Sequence, residues 1–345
     1  MTRTNLLTLA ALLGAAPAAA QVQLNGAGAT FPNIIYQDWI LTYNQAHSDV
    51  KLNYQSIGSG GGIRQFSDGT VDFGGSDAPM SDSAIAAIQG NVLHIPTVMG
   101  AIVVTYNVPN VATGLKLTPD VIADIFLGKI TKWNDARLTS INPGVQLPAT
   151  DIVVVHRSDG SGTSYGFTDY LSKVSAEWKD KVGKGTSVNW PVGLGGKGNE
   201  GVSATVAQTP GGVGYVELAY ATTNKLAFAS IRNASGKFVT PTLESVTAAL
   251  AGAMKMMGPS TDFRVSITNP EGADAYPIAT MTWLLLHKTY RDAAKAKALV
   301  KYVWWAETEG QQKAPTLGYA PLPKQLQPWI QARLKSITAA GQPAM

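Results

Sequence analysis

Three stretches of this sequence set small residues and hydroxyls where a β-like run gives way to a helical one. They are Gly26-Ala27-Gly28-Ala29-Thr30-Phe31, Gly58-Ser59-Gly60-Gly61-Gly62, and Arg157-Ser158-Asp159-Gly160-Ser161-Gly162-Thr163-Ser164. A helix N-terminus leaves backbone N–H groups unpaired and carries the positive end of the helix dipole. Glycine lets an anion approach that backbone, and Ser and Thr hydroxyls add donors. Three such termini meeting at one point would surround a small tetrahedral oxyanion with donors. Taken singly, each stretch reads more readily as a plain helix cap, as Ser and Thr before a helix usually are. The third is richer, because Arg157 adds a fork of N–H donors suited to oxyanion oxygens. Asp159 either orients that fork or serves the turn.

Asp77 closes a further strand-to-loop stretch, Val71-Asp72-Phe73-Gly74-Gly75-Ser76-Asp77. A carboxylate beside an anion site repels most anions, but it suits an anion that carries a proton. Hydrogen phosphate can donate an O–H to Asp77, whereas sulfate would leave a buried acceptor unpaired. A site built to recognise an O–H rejects its lack by on the order of 10⁴. The competing reading of Asp77 is a charge at a helix N-terminus.

Other chemistry finds less support. Gly193-Leu194-Gly195-Gly196-Lys197-Gly198 matches the G-x-G-x-x-G spacing of dinucleotide sites, but Trp190-Pro191 precedes it where a buried strand is required. His47, His94, His156 and His287 lack metal-ligand spacing, and no cysteine exists to form a disulfide, a thiolate nucleophile or a thiolate metal site. Ser161 as a nucleophile would need the G-x-S-x-G elbow, which is absent. No catalytic residue, metal or cofactor is therefore expected. A net charge of +4 without a basic, aromatic-interleaved stripe gives no reason to expect a nucleic-acid partner.

The elements that must position these residues alternate along the chain. Strands are predicted at Val22 to Leu24, Val50 to Tyr54, Leu93 to Tyr106, Asp151 to His156, Gly211 to Leu218 and Thr280 to His287. Helices are predicted after Thr30-Phe31-Pro32, with Thr30 as cap, and over Ile63 and Phe66, Thr118 to Leu127, Tyr165 to Leu171 and Ala293 to Glu307. This is the pattern of an α/β protein. The long apolar runs Leu93–Tyr106 and Thr280–His287 are candidate crossings between two halves of the chain. Residues 1–20 read as a cleavable secretory signal: Arg3, the apolar run Leu6 to Leu13, and Ala18-Ala19-Ala20 before Gln21. No cysteine follows to carry a lipid, so a soluble exported protein is expected.

These segments resemble the periplasmic phosphate-binding proteins of phosphate-specific ABC transporters, the PstS-like family. The resemblance rests on Gly26 to Pro32, Tyr54 to Gly62, Asp72 to Pro79, Leu127 to Trp133, Asp159 to Ser164, Trp190 to Asn199, Gly214 to Glu217 and Tyr276 to Ile278, in the family's order. It implies a type 2 periplasmic-binding-protein fold: two lobes joined by two hinge crossings, with the ligand cleft between them. One lobe would comprise residues 21–98 plus 279–345, and the other residues 99–278. The resemblance further implies phosphate donors from Ala29, Thr30, Phe31, Ser59, Arg157, Ser161, Gly162 and Thr163, with Asp77 accepting the phosphate proton. It implies a non-enzymatic periplasmic monomer that docks, closed, on an inner-membrane ABC permease. Ser56 and Gly60 depart from the family's usual Gly and Ser, and Gly60 is expected to loosen the loop that presents Ser59.

Overall fold

Short parallel strands with helical crossovers begin the chain in the computed structural model, which describes residues 21–345. The predicted signal segment lies outside those residues. Strand β1 (Val22–Gly28) pairs in parallel with β2 (Val50–Ser56) and β3 (Phe73–Ser76). The crossovers are α1 (Asn33–Ala46) and α2 (Ser59–Ser67), as parallel pairing requires. Ile35, Trp39 and Tyr43, recurring every four residues, lie on the buried face of α1, and the Trp39 Nε1–H donates to the Gly310 carbonyl at 2.8 Å. In β2, Val50, Leu52 and Tyr54 face inward and their neighbours outward, the period of a half-buried strand. Helix α3 (Asp82–Ala87) begins at Ser81, whose hydroxyl accepts from the Ala84 amide.

Strand β4 (Leu93–Asn107) is buried over all but its last residue. After β5 (Lys116–Leu117) come α4 (Pro119–Phe126), α5 (Ala136–Ile141), β6 (Val153–Arg157), α6 (Gly162–Val174), α7 (Ala176–Lys181), β7 (Leu194–Gly196), α8 (Gly198–Gln208), β8 (Gly212–Glu217) and α9 (Leu218–Thr223). Strands β9 (Ala227–Phe228), β10 (Ser230–Arg232) and β11 (Phe238–Val239) precede α10 (Leu243–Ala253), β12 (Ala279–Leu286), β13 (Thr289–Tyr290) and α11 (Ala293–Glu307).

The principal sheet runs β2-β1-β3-β12-β4-β8-β6-β7. Strand β4 changes partner partway along: Leu93 to Ala101 pair with β12, and Ile102 to Asn107 pair with β8. The Ile102 amide donates to the Ile278 carbonyl at 2.8 Å, just where β12 begins. The chain thus passes twice, side by side, between a β1-β2-β3 half and a β6-β7-β8 half. That is the two-lobed α/β arrangement expected.

Three local readings change and one stands. Helix α6 starts at Gly162, three residues earlier than predicted, because the Ser161 hydroxyl caps it by accepting from the Ser164 amide. Thr30 does not cap α1: Pro32 precedes that helix, and the Thr30 hydroxyl is engaged elsewhere. Gly193–Gly198 itself contains the short strand β7 and runs into α8, and no strand immediately precedes it, as the Trp190-Pro191 pair implied. Gly60 is not loose, since its amide donates to the Gly160 carbonyl at 2.8 Å.

Candidate anion site

The first loop leaves the sheet at Ala29. The Ala29 amide donates to the Gly75 carbonyl at 2.9 Å, and its carbonyl accepts from the Tyr54 hydroxyl at 2.8 Å. Ala29 therefore anchors the loop, and its N–H is already committed to the sheet rather than free for an anion. The next two carbonyls are also held by tyrosines: Tyr220 donates to Thr30 O at 2.6 Å and Tyr319 to Phe31 O at 2.7 Å. Among the described residues, neither the Thr30 amide nor the Phe31 amide donates to a backbone acceptor outside helices and strands.

Ser59 opens α2 and is fully buried. Its hydroxyl accepts from the Asp77 amide at 3.1 Å, tying the second loop to the end of β3. One Asp77 carboxylate oxygen, Oδ1, accepts from the Thr282 hydroxyl at 3.0 Å. Burial pushes the Asp77 carboxyl up to about 7, even though the Thr282 hydrogen bond and the nearby Arg157 charge pull it down.

Arg157 ends β6 with its side chain almost wholly buried. Its Nε and Nη2 donate to the two oxygens of Asp159 at 2.8 and 2.6 Å, a fork-to-fork pair that fixes the guanidinium plane. That leaves Nη1, which points toward the Thr163 hydroxyl at 3.5 Å. Burial raises the Asp159 carboxyl, but Arg157 and the Gly198 amide at 3.0 Å outweigh it and hold the group below the ordinary carboxylate range. Of the two readings left open for Asp159, orientation of the Arg157 fork is the one this geometry carries.

At the start of α6, Ser161, Gly162 and Thr163 are buried. The Gly162 and Thr163 amides lie in the first turn, where a helix supplies no acceptor. A methyl group on Gly162 would collide with both the Asp77 carboxylate and the Ser59 hydroxyl. The third loop therefore presses directly against the second, and the halves of the molecule are closed upon one another. Gly58 has a φ of +85°, and a side chain there would strike Asp159, so the same contact demands glycine twice.

The structure thus gathers Thr30, Phe31, Ser59, Asp77, Arg157, Ser161, Gly162 and Thr163 around one buried point, with Ala29 behind them. Asn199 was not singled out by sequence reasoning. It is fully buried at the second residue of α8 and bonds to both Thr30 and Thr163. Its sequence signals are that it ends the Gly-rich run from Gly193 and closes the Trp190 to Asn199 stretch of the family resemblance. His156 stacks on Trp190 at 5.0 Å rather than approaching Ser161. His94 is buried, its Nε2 accepting from the Met80 amide, and burial lowers it to about 4. Among the described residues no group of His, Asp and Glu is arranged to hold a metal ion.

A sequence profile described as a PBP superfamily domain matches residues 14–307. The phosphate-binding protein PstS of Xylella fastidiosa (strain 9a5c) is 48% identical over 312 residues, covering 90% of this chain and 84% of that protein. The Haemophilus influenzae phosphate-binding protein PstS is 44% identical over 325 residues, 94% and 96% of the respective chains. Among solved structures, a high-affinity periplasmic phosphate-binding protein (PfluDING) superposes with a TM-score of 0.71 at 20% identity, over 90% of this chain and 93% of that one. A Clostridium perfringens phosphate ABC transporter substrate-binding protein gives 0.63 at 18%, over 87% and 100%. At those identities the structural likeness speaks to fold alone, and the fold is that of the two-lobed periplasmic binding proteins.

Proposed function

The chain belongs to the PstS family of phosphate-binding proteins, and from that membership we propose that it captures inorganic phosphate between its lobes and delivers it to an ABC importer. One observation carries the assignment of the site. Three helix-start loops and the Nη1 arm of Arg157 turn buried donors toward one point, and the buried Asp77 carboxylate faces them. Thr30 and Phe31, Ser59, Arg157, and Ser161, Gly162 and Thr163 supply the donors; Ala29 supports the loop from behind. A buried dianion is stabilised by charge-assisted hydrogen bonds worth about 1.5–3 kcal/mol each, so such a shell supports tight binding without chemistry. Asp77 accepts the proton that hydrogen phosphate carries and sulfate lacks.

The lobes are residues 21–98 with 279–345, and residues 99–278. The change of β4 partner at Ala101 and Ile102 supports this division within a few residues. Closing is a hinge motion across the paired strands β4 and β12, and the closed form is what an inner-membrane permease recognises. The protein works as a monomeric receptor and not as an enzyme: the Ser161 hydroxyl is turned to the Ser164 amide as a cap. It acts in the periplasm after removal of residues 1–20, without a lipid anchor. No helix among the described residues is long and apolar enough to cross a membrane.

Titration calorimetry with phosphate and with sulfate, paired with a phosphatase assay, tests this reading. Tight phosphate binding, weak sulfate binding and no turnover are expected. Sulfate binding of comparable strength, or steady turnover of a phosphate ester, would overturn it.

A further inference from the structure

We infer that Asn199 is a positioning residue that turns the Thr30 and Thr163 hydroxyls into obligate donors toward the anion, and does so only when the lobes close. The inference rests on the phosphate-binding reading of this site and adds a specificity device to it. A hydroxyl can donate one hydrogen bond and accept two, so its polarity in a site depends on its other partners. An anion needs the proton to point inward, because a lone pair facing it would repel.

The Thr30 hydroxyl accepts from Asn199 twice, from the side-chain Nδ2 at 2.6 Å and from the backbone amide at 3.2 Å. Both lone-pair directions are then engaged, and its proton is left to point into the site. The Thr163 hydroxyl accepts from the same Nδ2 at 3.1 Å and faces Arg157 Nη1 at 3.5 Å, with the same consequence. The two hydrogens of one amide nitrogen therefore set two hydroxyls that belong to different helix starts.

The orientation of the amide is itself determined. Asn199 Oδ1 accepts from the Glu217 backbone amide at 2.9 Å, and the flipped side chain would set N–H against N–H there. Asn199 is fully buried, so no solvent competes for these bonds. Thr30 precedes α1 in the β1-β2-β3 half, whereas Asn199 and Thr163 stand on the other half. Lobe opening breaks the Thr30 bonds and releases that hydroxyl to rotate, so closure and donor alignment are one event.

A double-mutant cycle on the full chain, read as phosphate Kd by calorimetry and off-rate by stopped flow, tests the assignment. Asn199→Ala is expected to weaken phosphate binding about 10- to 100-fold, mainly through the off-rate, the scale of one or two lost hydrogen bonds to a charged group. In a Thr30→Val background, which has no hydroxyl to align, the same substitution should cost clearly less, because it acts through that hydroxyl. Equal losses in both backgrounds would overturn the inference and reduce Asn199 to a packing role. So would a Kd within twofold of the parent. If Asn199→Ala does not fold, Asn199→Ser, which retains a polar partner for the Glu217 amide, takes its place in the cycle. A parent protein that fails to bind phosphate would instead overturn the functional reading beneath both.

Discussion

The Thr282 hydroxyl donates to Oδ1 of Asp77 at 3.0 Å across two strands 205 residues apart in sequence. It thereby leaves the other carboxylate oxygen, Oδ2, on the side where Gly162 closes against the site. An acceptor held this way can take a proton from hydrogen phosphate but can offer sulfate only repulsion. In Asp77→Asn the Thr282 hydroxyl would bind the amide oxygen and turn the NH2 group toward the anion. Sulfate then gains a donor and phosphate loses an acceptor. The phosphate-to-sulfate ratio of Kd values, measured by competition calorimetry at pH 8, should narrow by at least about 100-fold. An unchanged ratio would remove Asp77 from the selectivity mechanism.

The same carboxyl makes a pH prediction with a definite sign. Burial in the closed form raises Asp77 to about 7, so closing takes up a proton at lower pH. Once protonated, Asp77 becomes a donor that sulfate can accept. Sulfate does not itself titrate in this range, so its binding should strengthen as pH falls from 8 toward 5, by at most about tenfold per unit. In Asp77→Asn the curve should be flat, and a flat curve in the parent would contradict the proton account.

Gly162 offers a way to separate closing from folding. Its φ is not positive, so alanine suits the backbone, but the added methyl would meet Asp77 and Ser59 from the opposite half. Overpacking of this kind costs about 1–3 kcal/mol. Gly162→Ala should therefore weaken phosphate binding about 5- to 150-fold while the melting temperature without phosphate moves by little. Calorimetry and thermal melts on the same preparation check both halves of that statement.

Much of this was legible in sequence because it is local. A helix start announces itself within a few residues, so Ser59, Ser161, Gly162, Thr163 and the neighbouring Arg157 could be picked out by hydroxyls, glycines and their place after a strand. Buried apolar runs likewise marked β4 and β12 as the crossings. What escaped depends on residues far apart in sequence. Asn199 meets Thr30 across 169 positions, Tyr319 meets Phe31 across 288, and nothing near either pair hints at the contact. Helix α8 was missed for a related reason. Its opening Gly198-Asn199 has poor helix propensity, and its first amides are held by Asp159 and Thr30 rather than by a local cap. The Ala29 amide was expected to serve the anion; it is consumed by Gly75 because β1 continues further than its apolar residues suggested.

Asp169 allows a stability prediction away from the anion. It lies in α6 with its side chain almost fully buried, accepting from Lys184 at 2.7 Å, Ser266 at 2.7 Å and Thr268 at 2.6 Å, with Lys173 at 3.0 Å. Burial alone would raise its carboxyl, but these partners outweigh burial and hold it well below the usual range. A depressed carboxyl stabilises the fold fully above its unfolded value of about 3.9, and that contribution fades as pH falls through the folded value. The parent should therefore lose stability steadily on acidification below about pH 4, partly through this group. Asp169→Asn keeps the shape but strands two lysines and mismatches two hydroxyls. At pH 7 it should cost on the order of 2–4 kcal/mol, lowering the melting temperature by about 4–8 °C. Between pH 4 and pH 2 its melting temperature should fall less than the parent's, so the two curves converge. Parallel curves in calorimetry across that window would show that the carboxylate charge is not what secures this corner of α6.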